Sequence, residues 1–189
     1  IVFYLLWSLV ALKLRRFYFF PSMNKSIEIR RATDADLERL TEIYNHYVVT
    51  SAATFDTSPF TLEERRDWFH QHNYNPLHML LVACLDGKTV GYASSSQFRQ
   101  KPAYDSSVET TIYLDPEFSS RGIGRQLYSK LLQDLEAAGV HRCYGVITLP
   151  NDASLALHES LGFEKAGHLT EVGYKFGKYW DTIWTEKTF

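Results

Sequence analysis

The sequence predicts one α/β domain, a mixed sheet with helices on both faces, and three observations lead there. Strand-like and helix-like segments alternate in the order β-α-α-β-β-β-α-β-α-β-β, which needs a sheet as a shared platform. Asp86-Gly87 between two apolar runs marks a tight antiparallel hairpin. The chain has 189 residues, 45% of them hydrophobic and 22% charged, enough for one domain with a sizeable core. Aromatics at 15% suggest a well-filled interior and an aromatic-walled pocket.

Ile27 and Ile29 alternate with polar residues and open the first strand. Thr33-x-x-Asp36 starts a helix, although Glu is the better partner in a capping box. Leu37, Leu40, Ile43, Tyr44 and Tyr47 follow at helical spacing. Thr61-x-x-Glu64 starts a second helix that runs to about His72. Met79–Leu85 and Lys88–Ser96 form the hairpin arms, Pro102–Ser106 a loop, and Val108–Leu114 a strand ended by Pro116. Gly122–Ala138 carries Leu127, Leu131, Leu132 and Leu135 at helical spacing, with Gly139 as its stop. Cys143–Leu149 is a strand, Asn151–Leu161 a helix closed by Gly162, and two strands around Gly173–Tyr179 finish the sheet.

Residues 1–22 read differently. The apolar run Ile1–Leu12 is shorter than a membrane span of about 20 residues. Its charges, Lys13, Arg15 and Arg16, follow the run, whereas a secretory signal places them before it. Met23 directly precedes the first strand, so residues 1–22 are expected to be a non-native leader or a short apolar extension, and 23–189 the domain.

The net charge of -2 becomes -5 without residues 1–22, with 17 basic against 22 acidic residues, which argues against a nucleic-acid partner. Cys84 and Cys143 match no metal or redox spacing and read as buried thiols of a cytoplasmic protein. No membrane is expected for 23–189. His70-x-His72 does not put both rings on one helix face, so no metal is expected there, and His46, His70, His72 and His78 read as structural.

The sharpest local signal is Tyr113-Leu114-Asp115-Pro116, then Arg121-Gly122-Ile123-Gly124, then a helix. A glycine-bearing loop opening onto a helix N-terminus presents unpaired N–H groups and the positive end of the helix dipole, and so suits a pyrophosphate. Glycines at a helix start also serve capping or close packing, with no ligand. The loop lacks the third glycine of a dinucleotide fingerprint, Leu127 standing there, and the Gly-Lys-Ser/Thr of a Walker A loop.

Downstream, Thr148-Leu149-Pro150-Asn151-Asp152-Ala153-Ser154 leads into Leu157-His158-Glu159-Ser160-Leu161-Gly162-Phe163. With these stretches the sequence resembles the GCN5-related N-acetyltransferase (GNAT) family, and most closely its phosphinothricin and methionine sulfoximine acetyltransferase branch. The branch-specific stretches are Tyr44-Asn45-His46-Tyr47 with Thr50-Ser51, Ala103-Tyr104-Asp105, Val108–Leu114, Leu149-Pro150-Asn151-Asp152 and Gly173-Tyr174-Lys175-Phe176-Gly177. The resemblance spans Ile27 to Phe189. One departure is Ser119, where the family usually has Gln or Arg.

The resemblance implies a GNAT-type, largely antiparallel sheet with a splayed central strand pair, and direct attack of an amine on acetyl-CoA. It assigns the cosubstrate to Ile112, Tyr113 and Leu114, to Ser119, Ser120, Arg121, Gly122, Ile123, Gly124 and Arg125, and to Asn151 and Ser154. Glu109 matches the branch's base; without the resemblance it reads as an exposed strand Glu or an ammonium-binding carboxylate. His158 falls where the wider family has a Tyr near the leaving sulfur, to donate a proton or orient the acceptor; a lone helical His is otherwise structural. Arg99, Gln100 and Lys101 match an acceptor-contacting segment, the charges suiting a small acid, and a solvated loop is the alternative. Phe55 and Lys175 are candidates of the same kind. A small amino-acid-like acceptor and a homodimer, with Glu171–Trp180 as its edge, complete the implied picture. Another amine acceptor and a non-catalytic acyl-CoA-binding module are the competing readings, and an intact Glu109 and His158 weigh against the latter.

Overall fold

The computed structural model describes residues 26–72 and 74–189, so the expected leader at 1–22 lies outside the described residues. Among the described residues, seven strands and four α-helices appear in the predicted order. They are β1 Ile27–Arg31, α1 Leu37–Thr50, α2 Leu62–Gln71, β2 Leu80–Leu85, β3 Lys88–Gln97 and β4 Ser107–Leu114. α3 Ile123–Ala137, β5 Arg142–Thr148, α4 Asp152–Ser160, β6 Glu164–Lys175 and β7 Lys178–Thr188 complete the chain. The closing pair is much longer than its aromatic hairpin suggested, because Thr and charged residues carry it on along both arms.

The strands lie in the order β1-β2-β3-β4-β5-β7-β6. Every neighbouring pair is antiparallel except β4 with β5. Side chains alternate across the pleat, so one strand feeds both cores. From β2, Leu81, Ala83 and Leu85 face Leu127, Leu131 and Leu135 of α3. Leu80, Val82 and Cys84 face Leu37, Leu40 and Ile43 of α1 and Phe69 of α2. Leu157 and Leu161 of α4 join the α3 side. Each fully buried leucine contributes about 1.5–3 kcal/mol through water removed from its surface.

The Thr33-x-x-Asp36 signal operates on a single 3-10 turn, Asp34–Asp36, and α1 starts only at Leu37. Asp36 replaces Glu successfully because it is held from several sides. It accepts from the Thr33 N–H at 2.9 Å, from Arg30 at 2.7 Å and from the Thr89 hydroxyl at 2.7 Å. α2 carries the full capping box, Glu64 N–H to the Thr61 hydroxyl at 3.3 Å and Thr61 N–H to the Glu64 carboxylate at 2.7 Å.

The sheet parts at its one parallel junction. β4 and β5 pair only from Ser107 with Arg142 to Glu109 with Tyr144, and then diverge. Beyond Glu109 the β5-facing edge of β4 has no strand partner among the described residues.

Candidate active site

Where β4 and β5 part, a cavity of about 530 Å³ opens. Its wall contains consecutive residues of β4, Thr110 to Leu114, so a strand edge and both of its faces border the space. Val146, Ile147 and Thr148 of β5 stand opposite. Tyr47 and Ala53 close the cavity on the α1 side, Leu157 and His158 on the α4 side, and it therefore passes through the sheet. Such an edge accepts an extended ligand as it would another strand. The Leu114 carbonyl already accepts from the Tyr47 hydroxyl at 2.7 Å.

At one mouth of the cavity the chain turns into α3. Asp115, bound to Arg39, caps the turn Pro116–Phe118 by accepting from the Glu117 N–H at 3.0 Å. Ser119 donates its hydroxyl to the Pro116 carbonyl at 2.8 Å. Gly122, with φ of 75°, is the residue before α3, and no side chain caps this helix end. A left-handed φ is strained for any residue with a Cβ, so the turn requires glycine there. The first N–H groups of α3 have no side-chain cap among the described residues, an arrangement that suits an anion. Ser119, Ser120, Gly122, Gly124 and Arg125 line the cavity. Ile123 instead points into the core at 2% exposure, and Arg121 lies outside the wall, donating to the Glu117 carbonyl at 2.8 Å.

α4 supplies the third side. The Asn151 side chain caps it by accepting from the Ser154 N–H at 3.1 Å, and both residues border the cavity. His158, one turn further, is 4% exposed and lines the same space. Its Nδ1 is 2.8 Å from the Ser154 carbonyl, which only accepts, so Nδ1 carries the hydrogen. Nε2 faces the Tyr128 hydroxyl at 3.2 Å. Burial lowers the imidazole pKa, partly offset by the Ser154 carbonyl. The ring lies close against β5, where a Cβ on Gly145 would stand 2.7 Å from Nε2.

Glu109 is the last residue of β4 paired on both sides, opposite Ser96 and Tyr144, immediately before the cavity wall begins. Burial raises its pKa, and Arg99 opposes that rise. Phe98 stacks on Tyr144 with centroids 4.2 Å apart, and the Arg99 guanidinium sits 4.4 Å over Phe98 and 5.5 Å from Trp184. Arg99 is thus brought towards Glu109, while Gln100 and Lys101 are exposed, and none of these four lines the cavity.

Phe55 and Lys175 meet each other's segments rather than the cavity. Phe55 packs over Gly173, where a Cβ would come within 2.2 Å of its ring. Lys175, 3% exposed, donates to the Ser51 carbonyl at 2.9 Å and the Thr54 carbonyl at 2.8 Å. Its ammonium is spent on fastening the loop that carries Ala53.

Tyr47, Thr110, Thr111 and Val146–Thr148 border the cavity without having been named as site residues from the sequence, although Tyr47, Thr110 and Thr111 lie in the branch-specific stretches. Tyr128 stands directly behind it, fully buried. Its place on the apolar stripe of α3 reads as core, yet a buried phenol needs a partner for its hydroxyl, and that is the signal that points to it. Among the described residues no group of three or more His, Cys, Asp or Glu could hold a metal ion, and no helix is long and apolar enough to cross a membrane.

Residues 29–184 match the family described as acetyltransferase (GNAT) domain. The chain is 47% identical over 163 residues to a phosphinothricin N-acetyltransferase of Streptomyces coelicolor, covering 85% of this chain and 95% of that protein. It is 33% identical over 156 residues to an L-methionine sulfoximine/L-methionine sulfone acetyltransferase of Pseudomonas aeruginosa, covering 82% and 91%. Among solved structures, a GNAT superfamily phosphinothricin acetyltransferase from Sinorhizobium meliloti in complex with AcCoA superposes with a TM-score of 0.82 at 35% identity. That alignment covers 86% of this chain and 88% of that one.

Proposed function

The chain belongs to the GNAT acetyltransferase family, and from that premise we propose that it moves acetyl from acetyl-CoA to the amine of a small amino-acid-like acceptor, phosphinothricin and methionine sulfoximine among them. The observation that carries this reading is the cavity through the sheet, with an uncapped helix end at one mouth and a half-buried carboxylate beside it.

The residues fit the cosubstrate. An anion cradle at Gly122–Gly124 suits a pyrophosphate, and the unpaired β4 edge at Ile112 and Tyr113 suits an amide-bearing arm. Acetyl-CoA supplies the activated thioester. Glu109 is the base: the α-amine of a free amino acid is mostly protonated at neutral pH and must lose a proton before it attacks. Burial strengthens Glu109 in that task by lifting its pKa towards neutrality. Arg99, held over Phe98, offers its charge to the acceptor's acidic group.

We propose further that the protein is cytoplasmic, in keeping with its buried free thiols Cys84 and Cys143, and that it forms a homodimer. The edge strand β6 and its hairpin expose Val172, Tyr174, Phe176 and Tyr179, an apolar surface suited to a second copy.

The test is thiol release from acetyl-CoA with phosphinothricin and methionine sulfoximine, comparing the 23–189 chain with Glu109→Gln. The expected result is turnover with a free amino acid and a loss in the variant of about 10²–10⁴-fold, acetyl-CoA binding being retained. Equal rates with peptide amines and free amino acids would overturn the acceptor class.

A further inference from the structure

Behind the cavity runs a hydrogen-bonded chain with a backbone carbonyl at each end. The Ser154 carbonyl meets His158 Nδ1 at 2.8 Å, and His158 Nε2 meets the Tyr128 hydroxyl at 3.2 Å. The Tyr128 hydroxyl meets Thr110 Oγ1 at 2.7 Å, and Thr110 Oγ1 donates to the Tyr144 carbonyl at 3.1 Å. Each of these four contacts needs one hydrogen, and neutral imidazole, phenol and hydroxyl bring three. Carbonyls bring none. The Ser154 hydroxyl, 3.4 Å from Nδ1, does not repair the deficit, because Nδ1 must already carry its own hydrogen to face the nearer carbonyl. The neutral chain is therefore one proton short, and the imidazolium form completes it with every heavy atom in place.

The same count shows where a proton can leave. Both ring nitrogens of His158 are engaged inside the chain and their N–H directions are fixed in the ring plane, so the ring borders the cavity without offering it an N–H. A hydroxyl such as that of Thr110 can instead rotate its hydrogen away from the Tyr144 carbonyl at 3.1 Å. The other member that borders the cavity is Thr110, on the first β4 residue past the last β5 rung. We infer that Thr110, Tyr128 and His158 work as one protonatable unit, with Thr110 as the hydroxyl that hands a proton to the departing thiolate. This rests on the acetyl-transfer reading above. As the S–H bond forms, the Thr110 O–H bond breaks, the Tyr128 proton moves to Thr110 oxygen, and the His158 Nε2 proton moves to Tyr128 oxygen. The ring is left neutral, and its positive charge cancels that of the thiolate. The acceptor ammonium loses two protons on becoming an amide; one recharges the chain and one leaves to solvent. Around the unit, Cys143 of β5 is a neutral thiol whose pKa burial pushes up to about 12, and Lys187 of β7 acts on it. Phe163 closes the remaining side of the ring, centroids 4.9 Å apart.

Two measurements decide this. In steady-state kinetics, Thr110→Val and Tyr128→Phe should each lower kcat about 10–100-fold with the acetyl-CoA KM changed less than about 3-fold. Thr110→Ser should recover most of the rate, and the double variant should be no slower than the slower single one. In nitrogen-15 NMR of the unliganded protein, the His158 titration midpoint should fall by about one pH unit in Tyr128→Phe, because the imidazolium loses the acceptor that its charged form uses. Losses that multiply, a Thr110→Val enzyme at full rate, or a midpoint unmoved or raised would overturn the inference. A wild-type chain that releases no thiol with any acceptor would remove the acetyl-transfer reading instead, and the NMR titration still decides the proton count.

Discussion

Single atoms set the position of His158. Gly145 leaves the ring its place against β5: a Cβ there would lie 2.7 Å from Nε2 and 3.0 Å from the Thr185 hydroxyl. A contact that short requires the ring to shift from its place in the hydrogen-bonded chain. Gly145→Ala is expected to cost about 1–3 kcal/mol of stability through overpacking. It is also expected to lower kcat by up to about 10²-fold, if the proposed proton chain is displaced by about an ångström. Denaturant titration and kinetics on the one variant check both parts; an enzyme of wild-type stability and rate would mean that the ring has room to spare. His158 itself was legible in the sequence through its place after Asn151 on α4. Gly145 and Tyr128 were not, because a glycine in a strand and a tyrosine on an apolar stripe show their purpose only once their neighbours are known.

Among the elements, the β6–β7 hairpin and the loop after α1 are locked together. Lys175 reaches across to the Ser51 and Thr54 carbonyls while Phe55 fills the notch over Gly173. The Tyr44 hydroxyl binds Thr54 at 2.7 Å and also Asp56, which fixes the same loop from α1. That loop brings Ala53 into the cavity wall. Lys175→Met should lose two charge-assisted hydrogen bonds, worth about 1.5–3 kcal/mol each at most, and leave two carbonyls unpartnered. The acceptor KM should rise about 10-fold while the acetyl-CoA KM holds, since the loop stands on the α1 side of the cavity and the anion cradle does not depend on it. A rise in both constants would show that the loop serves the whole cavity. Boundaries were readable here only to within a residue or two: helix periodicity named α1, but the 3-10 turn before it and the long arms of β6 and β7 depend on contacts distant in sequence.

For the whole molecule, acid stability should fail in two stages. His72, His78 and His158 all have pKa values lowered by burial. The unfolded chain therefore binds protons first, and their contribution, complete above the unfolded value of about 6.5, is lost as pH falls through the lower folded values. Asp36 follows. Burial would raise its pKa, but hydrogen bonds from Arg30, Thr33 and Thr89 outweigh burial and hold it well below the carboxylate range. Its contribution is present above an unfolded value of about 3.9 and lost as pH falls towards the folded one. Urea midpoints across this range should show both declines, and Asp36→Asn should flatten the lower one alone. A single decline beginning below pH 4 would assign the whole effect to carboxylates.

At the same scale, the sequence by itself determined the element order, the platform of a sheet between two helical layers, the glycine turn at Gly122 that opens α3 and the family. Those follow from periodicity and from local backbone requirements, which act over a few residues. Tertiary structure alone decided the parting of β4 from β5, since strand divergence depends on partners that are far apart in the chain. It also turned Lys175 towards backbone carbonyls, and it joined Thr110, Tyr128 and His158 from β4, α3 and α4 into one chain. Hydrogen bonds are satisfied in space rather than along the sequence, so a count of protons becomes possible only after folding has brought the donors and acceptors together.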